Sequence, residues 1–267
     1  MSMLQAVILS IVEGLTEYLP ISSTGHMIIT SSIMGIASDD FVKNFEIIVQ
    51  FGAILSVLVL YWRRFLQGPA IYLKLFIAFL PAAVIGLLFK SKIELLLDKP
   101  EVVAMTLIGG GIVLLFVDRF FSAQEARLEA SGDGTIEKLD LKRAGIIGFA
   151  QCLAMIPGTS RSAATIVGGL GTKLTREAAA EFSFLLAVPT LTAATCYKML
   201  HIYKTIQPDQ ISILLIGNVI SFIVGAITIK TFLSYLTRRG FFAFGIYRII
   251  VGAVILLLLL TGHNLEV

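Results

Sequence analysis

Uncharged apolar stretches recur along the chain at 47–60, 75–89, 102–117, 182–197, 210–229 and 249–262. Each approaches the ~17–25 residues a helix needs to cross hydrocarbon, with tilt and flanking lysines covering the shorter ones. The pattern therefore predicts six spanning helices. Two further regions, 1–38 and 144–172, are apolar but contain no uninterrupted span. In the first, residues 4–18 follow a helical pattern, Pro20 stops them, and Ser22-Ser23-Thr24 can cap a second helix running through Met27 to Met34. In the second, 144–155 reads as a short helix, Pro157-Gly158 breaks it, and Thr159-Ser160 caps a helix through Val167. Helix–break–helix at membrane depth predicts a re-entrant hairpin, tolerated only where protein or a polar cavity surrounds the exposed backbone.

Composition agrees. Of 267 residues, 57 % are hydrophobic and 15 % charged, with a mean hydropathy of +0.90; soluble domains carry roughly a quarter charged residues. The N-terminus lacks a basic n-region and a small-residue cleavage site, so it does not read as a removable signal peptide. A net charge of +3 points to no nucleic-acid partner; its distribution is more informative. If 47–60 starts outside, fourteen Lys and Arg, Arg248 among them, face the cytoplasm. Six (Lys43, Lys90, Lys92, Lys99, Lys198 and Lys204) face outward, and Arg161 is set aside as intramembrane. The positive-inside rule favours that orientation, with both termini outside and Tyr61-Trp62-Arg63-Arg64 anchored at the inner surface.

The expected fold is all-α and integral to the membrane: six transmembrane helices plus two re-entrant helical hairpins in an inverted-topology repeat. One transmembrane domain, 1–267, would comprise a first repeat (about 1–117), a cytoplasmic linker (about 118–143) and a second repeat (about 144–267). The linker holds eleven charged residues in 26 and the turn run Ser131-Gly-Asp-Gly134. Inversion brings the two broken segments tip to tip near the midplane, where hydroxyl-capped helix N-termini make an anion site. Cys152 and Cys196 read as buried free thiols, Gly109-Gly-Gly111 as a close helix contact, and Pro81 and Pro189 as kinks. A homo-oligomer is compatible with the sequence.

Ionisable groups in such a setting are functional hypotheses by default. Glu13 and Glu17, spaced i, i+4, share one helix face and need a proton, a cation or Arg161 between them. They suit Mg²⁺ or Ca²⁺ ligation, general acid–base work, or a face lining water. His26 lies three residues after Ser23, near enough on a first helical turn to share a site. Ser23 could attack phosphorus with His26 or Glu17 taking its proton; His26 could instead be the nucleophile or orient water. Arg161 offers a fork for a phosphate, with Thr159, Ser160 and Ser162 as neighbouring donors and Ser22 and Thr24 across from them. It could equally be the counter-ion of Glu13, Glu17 or Glu181. Glu46 and Glu181, each on the helix after a hairpin, could bond hairpin backbone or ligate a cation.

Glu13-Gly-Leu-Thr-Glu17-Tyr-Leu-Pro-Ile-Ser-Ser-Thr-Gly-His26 and Pro157-Gly-Thr-Ser-Arg-Ser162 resemble the two signature motifs of the undecaprenyl-diphosphatases (UppP, or BacA) of bacterial membranes. The likeness extends through Phe45-Glu46 to Gln50-Phe51-Gly52 and through Glu181 to Pro189. It implies hydrolysis of undecaprenyl diphosphate to undecaprenyl phosphate and inorganic phosphate, recycling the lipid carrier of cell-wall polymers, with an association with bacitracin resistance. It also implies a divalent cation, a bacterial inner-membrane location and a site open to the periplasm. By position, Glu13, Glu17, Ser23, Thr24 and His26 match the catalytic motif, and Ser160, Arg161 and Ser162 the phosphate-binding motif. The competing class is a transporter or flippase of polyprenyl phosphate or another anion, which inverted hairpins and a midplane arginine also suit. The hydroxyl–histidine–double-glutamate cluster is what carriage does not need.

Overall fold

The structure is a computed structural model that describes residues 1–97, 99–203 and 206–261. Lys204, counted above as outward, and residue 262, the end of the last apolar stretch, lie outside the described residues. Ser2 caps α1 (Met3–Thr16) through a capping box with Gln5. It is followed by α2 (Ser23–Ile33), α3 (Asp40–Ile48), α4 (Gln50–Leu60), the short α5 (Trp62–Phe65), α6 (Pro69–Leu88) and α7 (Lys90–Leu97). The second part comprises α8 (Pro100–Ser131), α9 (Leu141–Cys152), α10 (Arg161–Gly171), α11 (Arg176–Ile202), α12 (Pro208–Arg239) and α13 (Phe242–Leu260). Among the described residues six segments are long and apolar enough to span a membrane: 40–60, α6, α8, α11, α12 and α13. Each overlaps one of the apolar stretches read from the sequence.

Burial sorts these spans. Over an apolar 18-residue stretch of each, half or more of 40–60 and of α11 is buried, against 22 % of α6 and of α13, so the first two are central and the latter two peripheral. Around α11, Tyr18, Phe184, Phe232 and Phe244 meet edge to face at ring separations of 5.4–6.1 Å, and the Tyr18 hydroxyl donates to the Ala53 carbonyl at 2.6 Å. Such pairs contribute about 0.5–1.5 kcal/mol beyond area burial, and the hydroxyl bond removes the cost of a buried phenol.

Close approach depends on missing side chains. A methyl on Gly52 of α4 would stand 2.1 Å from the Asn218 carbonyl oxygen on α12, and one on Gly148 of α9 would stand 2.3 Å from that of Ala78 on α6. Within the triple glycine, Gly111 meets Gly245 of α13, while Gly110 leaves room for the Arg248 guanidinium. α1 packs on α12, α9 on α6, and α8 on α13. Pro81 and Pro189 lie inside α6 and α11, which continue unbroken across them.

The charged middle segment differs from a simple linker. Its first fourteen residues extend α8 to Ser131, where left-handed Gly132 ends the helix. Arg176 ties this extension to α11 through Asp118 (3.2 Å) and Glu125 (2.8 Å). Arg143 then fixes the turn by donating to the carbonyls of Thr172, Lys173 and Lys138. Cys152 is half-buried and Cys196 exposed, so the expectation of a buried thiol fails at Cys196, which lies on an outward face of α11.

Candidate active site

Both breaks end in the same device. After α1, the chain turns at Pro20-Ile21 and Ser22 caps α2, its side chain accepting from Gly25 N–H (3.3 Å). After α9, a 3₁₀ turn (Leu153–Met155) leads through Pro157-Gly158 to Ser160, which caps α10 by accepting from Ala163 N–H (3.2 Å). Both caps have positive φ, 71° at Ser22 and 74° at Ser160. Non-glycine residues there cost of order 1–3 kcal/mol each and persist only where their surroundings enforce them. The caps expected at Ser22-Ser23-Thr24 and Thr159-Ser160 are thus found at Ser22 and Ser160.

The two breaks meet. Ser162 donates to the Leu19 carbonyl at 2.7 Å, leaving Ser160 to donate to Ser162 at 3.0 Å. Arg161 Nη2 binds Glu17 Oε1 at 3.0 Å, and its Nη1 donates to the Ser183 carbonyl at 3.0 Å. On the other oxygen of the same carboxylate, Ser23 Oγ donates to Glu17 Oε2 at 2.7 Å. Guanidinium, carboxylate and hydroxyl thus form one chain across 144 residues of sequence. It lies at one end of a cavity of about 800 Å³ whose lining includes Glu17, Ser22, Ser23, Thr24, Ser160 and Arg161.

Four sequence candidates lie off that lining. Glu13 is fully buried beneath Glu17, and neither carboxylate oxygen has a hydrogen-bond partner among the described residues. Ser162 is spent on the tie between breaks, and the Thr159 carbonyl is engaged from behind. His26 is the main departure. Its Nδ1 lies 2.8 Å from the Ser22 carbonyl, which can only accept, so Nδ1 carries the proton and Nε2 accepts from the Tyr247 hydroxyl at 2.7 Å. The two rings stack within 4° of parallel. Helical spacing placed His26 beside Ser23 in sequence, but its ring turns toward α13.

Of the acids on the following helices, Glu181 departs from expectation. Glu181 pairs with Arg64 (2.6 and 3.0 Å), not with Arg161. Arg64 also reaches Glu137, and its bonds to Glu181 push the guanidinium above its ordinary range. Glu46 has one buried carboxylate oxygen without a partner.

Arg248 is the residue that sequence reasoning misplaced. It is completely buried, not cytoplasmic. Its guanidinium donates to the carbonyls of Pro20 (3.1 Å), Gly158 (2.9 Å) and Thr159 (2.9 Å) at the two breaks, and to those of Thr106 (3.1 Å) and Leu107 (3.3 Å) on α8. The backbone of both breaks therefore faces a cation on one side, while the N-termini of α2 and α10 face the cavity on the other. The available signal was one arginine inside the otherwise uncharged 242–260.

A family model described as bacitracin resistance protein BacA matches residues 6–254. The undecaprenyl-diphosphatase of Bdellovibrio bacteriovorus is 55 % identical over 266 residues, spanning 100 % of this chain and 99 % of that protein. That of Flavobacterium johnsoniae is 51 % identical over 270 residues and that of Porphyromonas gingivalis 47 % over 290, each alignment covering both proteins completely. With its two broken helices, its buried Arg161–Glu17–Ser23 chain and likeness of this extent, the chain belongs to the BacA family.

Proposed function

We propose that the chain hydrolyses undecaprenyl diphosphate to undecaprenyl phosphate and inorganic phosphate. The carrying observation is the Arg161–Glu17–Ser23 hydrogen-bond chain at one end of a cavity whose middle is apolar. Such a cavity takes a diphosphate at its polar end while an isoprenoid tail stays against helix walls and lipid. Ser23 Oγ attacks the terminal phosphorus and gives its proton to Glu17 Oε2, already 2.7 Å away. The bond from that phosphorus to the bridging oxygen breaks, undecaprenyl phosphate leaves, and water then releases phosphate from Ser23. Arg161 stabilises the equatorial charge, with Ser22, Thr24, Ser160 and the N-termini of α2 and α10 around it. Phosphoryl transfer depends chiefly on such positioning and electrostatics. His26, held by Tyr247, steadies the strained Ser22 cap through its carbonyl.

A divalent cation fits one observation: Glu13 buries two unpartnered carboxylate oxygens beneath Glu17, a charge that needs a proton or a metal. Among the described residues no group of three or more His, Cys, Asp or Glu is arranged as a metal site. Mg²⁺ or Ca²⁺ would therefore be held by Glu13 and Glu17 together with diphosphate oxygens, where it would neutralise substrate charge.

The segments 1–38 and 144–172 are re-entrant hairpins in this reading, and the halves are inverted repeats within one transmembrane domain. Supporting this, α1 packs on α12 as α9 packs on α6, and both caps share a positive φ. Moving Arg248 out of the cytoplasmic count leaves thirteen against six, which still favours a periplasmic opening in a bacterial inner membrane. The test is phosphate release from a polyprenyl diphosphate by purified protein in detergent, where no second compartment exists. Wild type should release it and folded Ser23→Ala should not. No release by wild type refutes hydrolysis and favours carriage; turnover retained by Ser23→Ala removes Ser23 as nucleophile.

A further inference from the structure

We propose that the end of the cavity away from Arg161 is a second anion site, shaped to take inorganic orthophosphate as it leaves; the inference rests on the hydrolytic reading above. One wall of the cavity is α11 from Thr190 to His201, about 16 Å of helix at ~1.5 Å per residue. Near Arg161 the lining is hydroxyls and amide; midway it is apolar, with Leu191, Ala193 and Ala194 on α11 and Phe79, Ala82 and Ala83 on α6. At the far end it turns basic, with Lys90, Lys198 and His201 around Tyr197.

Tyr197 organises this cluster. Its hydroxyl accepts from Lys90 Nζ at 3.0 Å, and the ammonium also lies 5.0 Å from the ring centroid. Its carbonyl accepts from His201 Nδ1 at 2.7 Å, and the two rings pack at 4.4 Å. Lys198 is the next residue of the same helix. Glu17, at the opposite end, is the one carboxylate among the described lining residues. Lys90, Tyr197 and His201 are exposed, so the cavity reaches the surface at this end.

The two products need different ways out. Undecaprenyl phosphate keeps a tail that belongs in hydrocarbon and leaves sideways past apolar helices. Orthophosphate cannot enter hydrocarbon and must leave through water, along a path on which cations lower its energy. A basic cluster continuous with the Arg161 end meets that need. A bilayer lipid phosphate has the same chemistry, so the test must separate the two sources.

The experiment titrates inorganic phosphate into the purified full chain in phospholipid-free detergent, by calorimetry. Arg161→Met should abolish the site at the catalytic end but leave a weaker phosphate site. Adding Lys90→Gln and Lys198→Gln should weaken that remaining site by at least about tenfold, and 0.5 M NaCl should have a similar effect. Loss of all phosphate binding on Arg161→Met alone, or binding unmoved by the lysine changes, overturns the proposal. A lysine effect that appears only in vesicles containing phosphatidylglycerol, and not in detergent, assigns the cluster to lipid headgroups and also overturns it. The lysine double variant should still hydrolyse a polyprenyl diphosphate; wild type that hydrolyses none sinks the functional reading instead, whatever the phosphate titration shows.

Discussion

Replacing Arg248 by Lys keeps the charge and removes the fork. The guanidinium serves five carbonyls, three of them at the two breaks. An ammonium has three donors, so at least two acceptors lose their bonds. Each lost bond from a charged donor costs about 1.5–3 kcal/mol, giving ~3–6 kcal/mol against a total stability of about 5–15 kcal/mol. For a chain this long that corresponds to a loss of roughly 5 °C or more in Tm. The breaks also carry Ser22 and Ser160, and a shift of about 1 Å in a positioned group can cost ~10²-fold in rate. Thermal unfolding in detergent and phosphate release from a polyprenyl diphosphate should therefore fall together. Gly110→Ala supplies an independent route, since its methyl would sit 2.2 Å from Nη2 and displace the guanidinium without changing its charge. A Tm within 2 °C of wild type and turnover within twofold for Arg248→Lys would refute this account of the clasp.

Three further outcomes are expected. Arg161→Lys should lower kcat/KM by about 10²-fold or more, because a point charge cannot replace a fork on phosphate; near-normal steady-state turnover would remove the clamp. Chelation with EDTA should stop phosphate release and added Mg²⁺ or Ca²⁺ restore it, whereas indifference would leave Glu13 protonated rather than metal-bound. His26→Gln should reduce kcat while leaving the pH–rate profile unchanged, since the imidazole holds the Ser22 carbonyl. Loss of a limb of that profile would make His26 a proton-transfer group instead.

Local physics was legible in the chain. Spans follow from run length, and the breaks follow from Pro20 and Pro157-Gly158 beside hydroxyl caps, so their positions needed no tertiary information. Partners were not legible. Glu181 finds Arg64 across 117 residues, and Arg248 sits only one to two turns inside α13, where a positive-inside count assigns it to the cytoplasm. Sequence gives a residue's depth along a helix but not the face it presents to a neighbour. The same limit applies to His26: its distance from Ser23 along α2 was right, but Tyr247 decides its direction.

The clasp on both breaks bears on motion. A carrier that alternates its opening by rocking one half against the other needs a seam that slides or parts at low cost. Here one side chain from the last helix grips the chain at Pro20 and again at Gly158-Thr159, and Ser162 adds a direct stitch to Leu19. Rocking would rupture several buried bonds together before any new ones formed. The junction of the two breaks is therefore built as a fixed anvil, and whatever breathing admits substrate and frees products belongs to the cavity walls, to which α6 and α11 contribute small and apolar side chains.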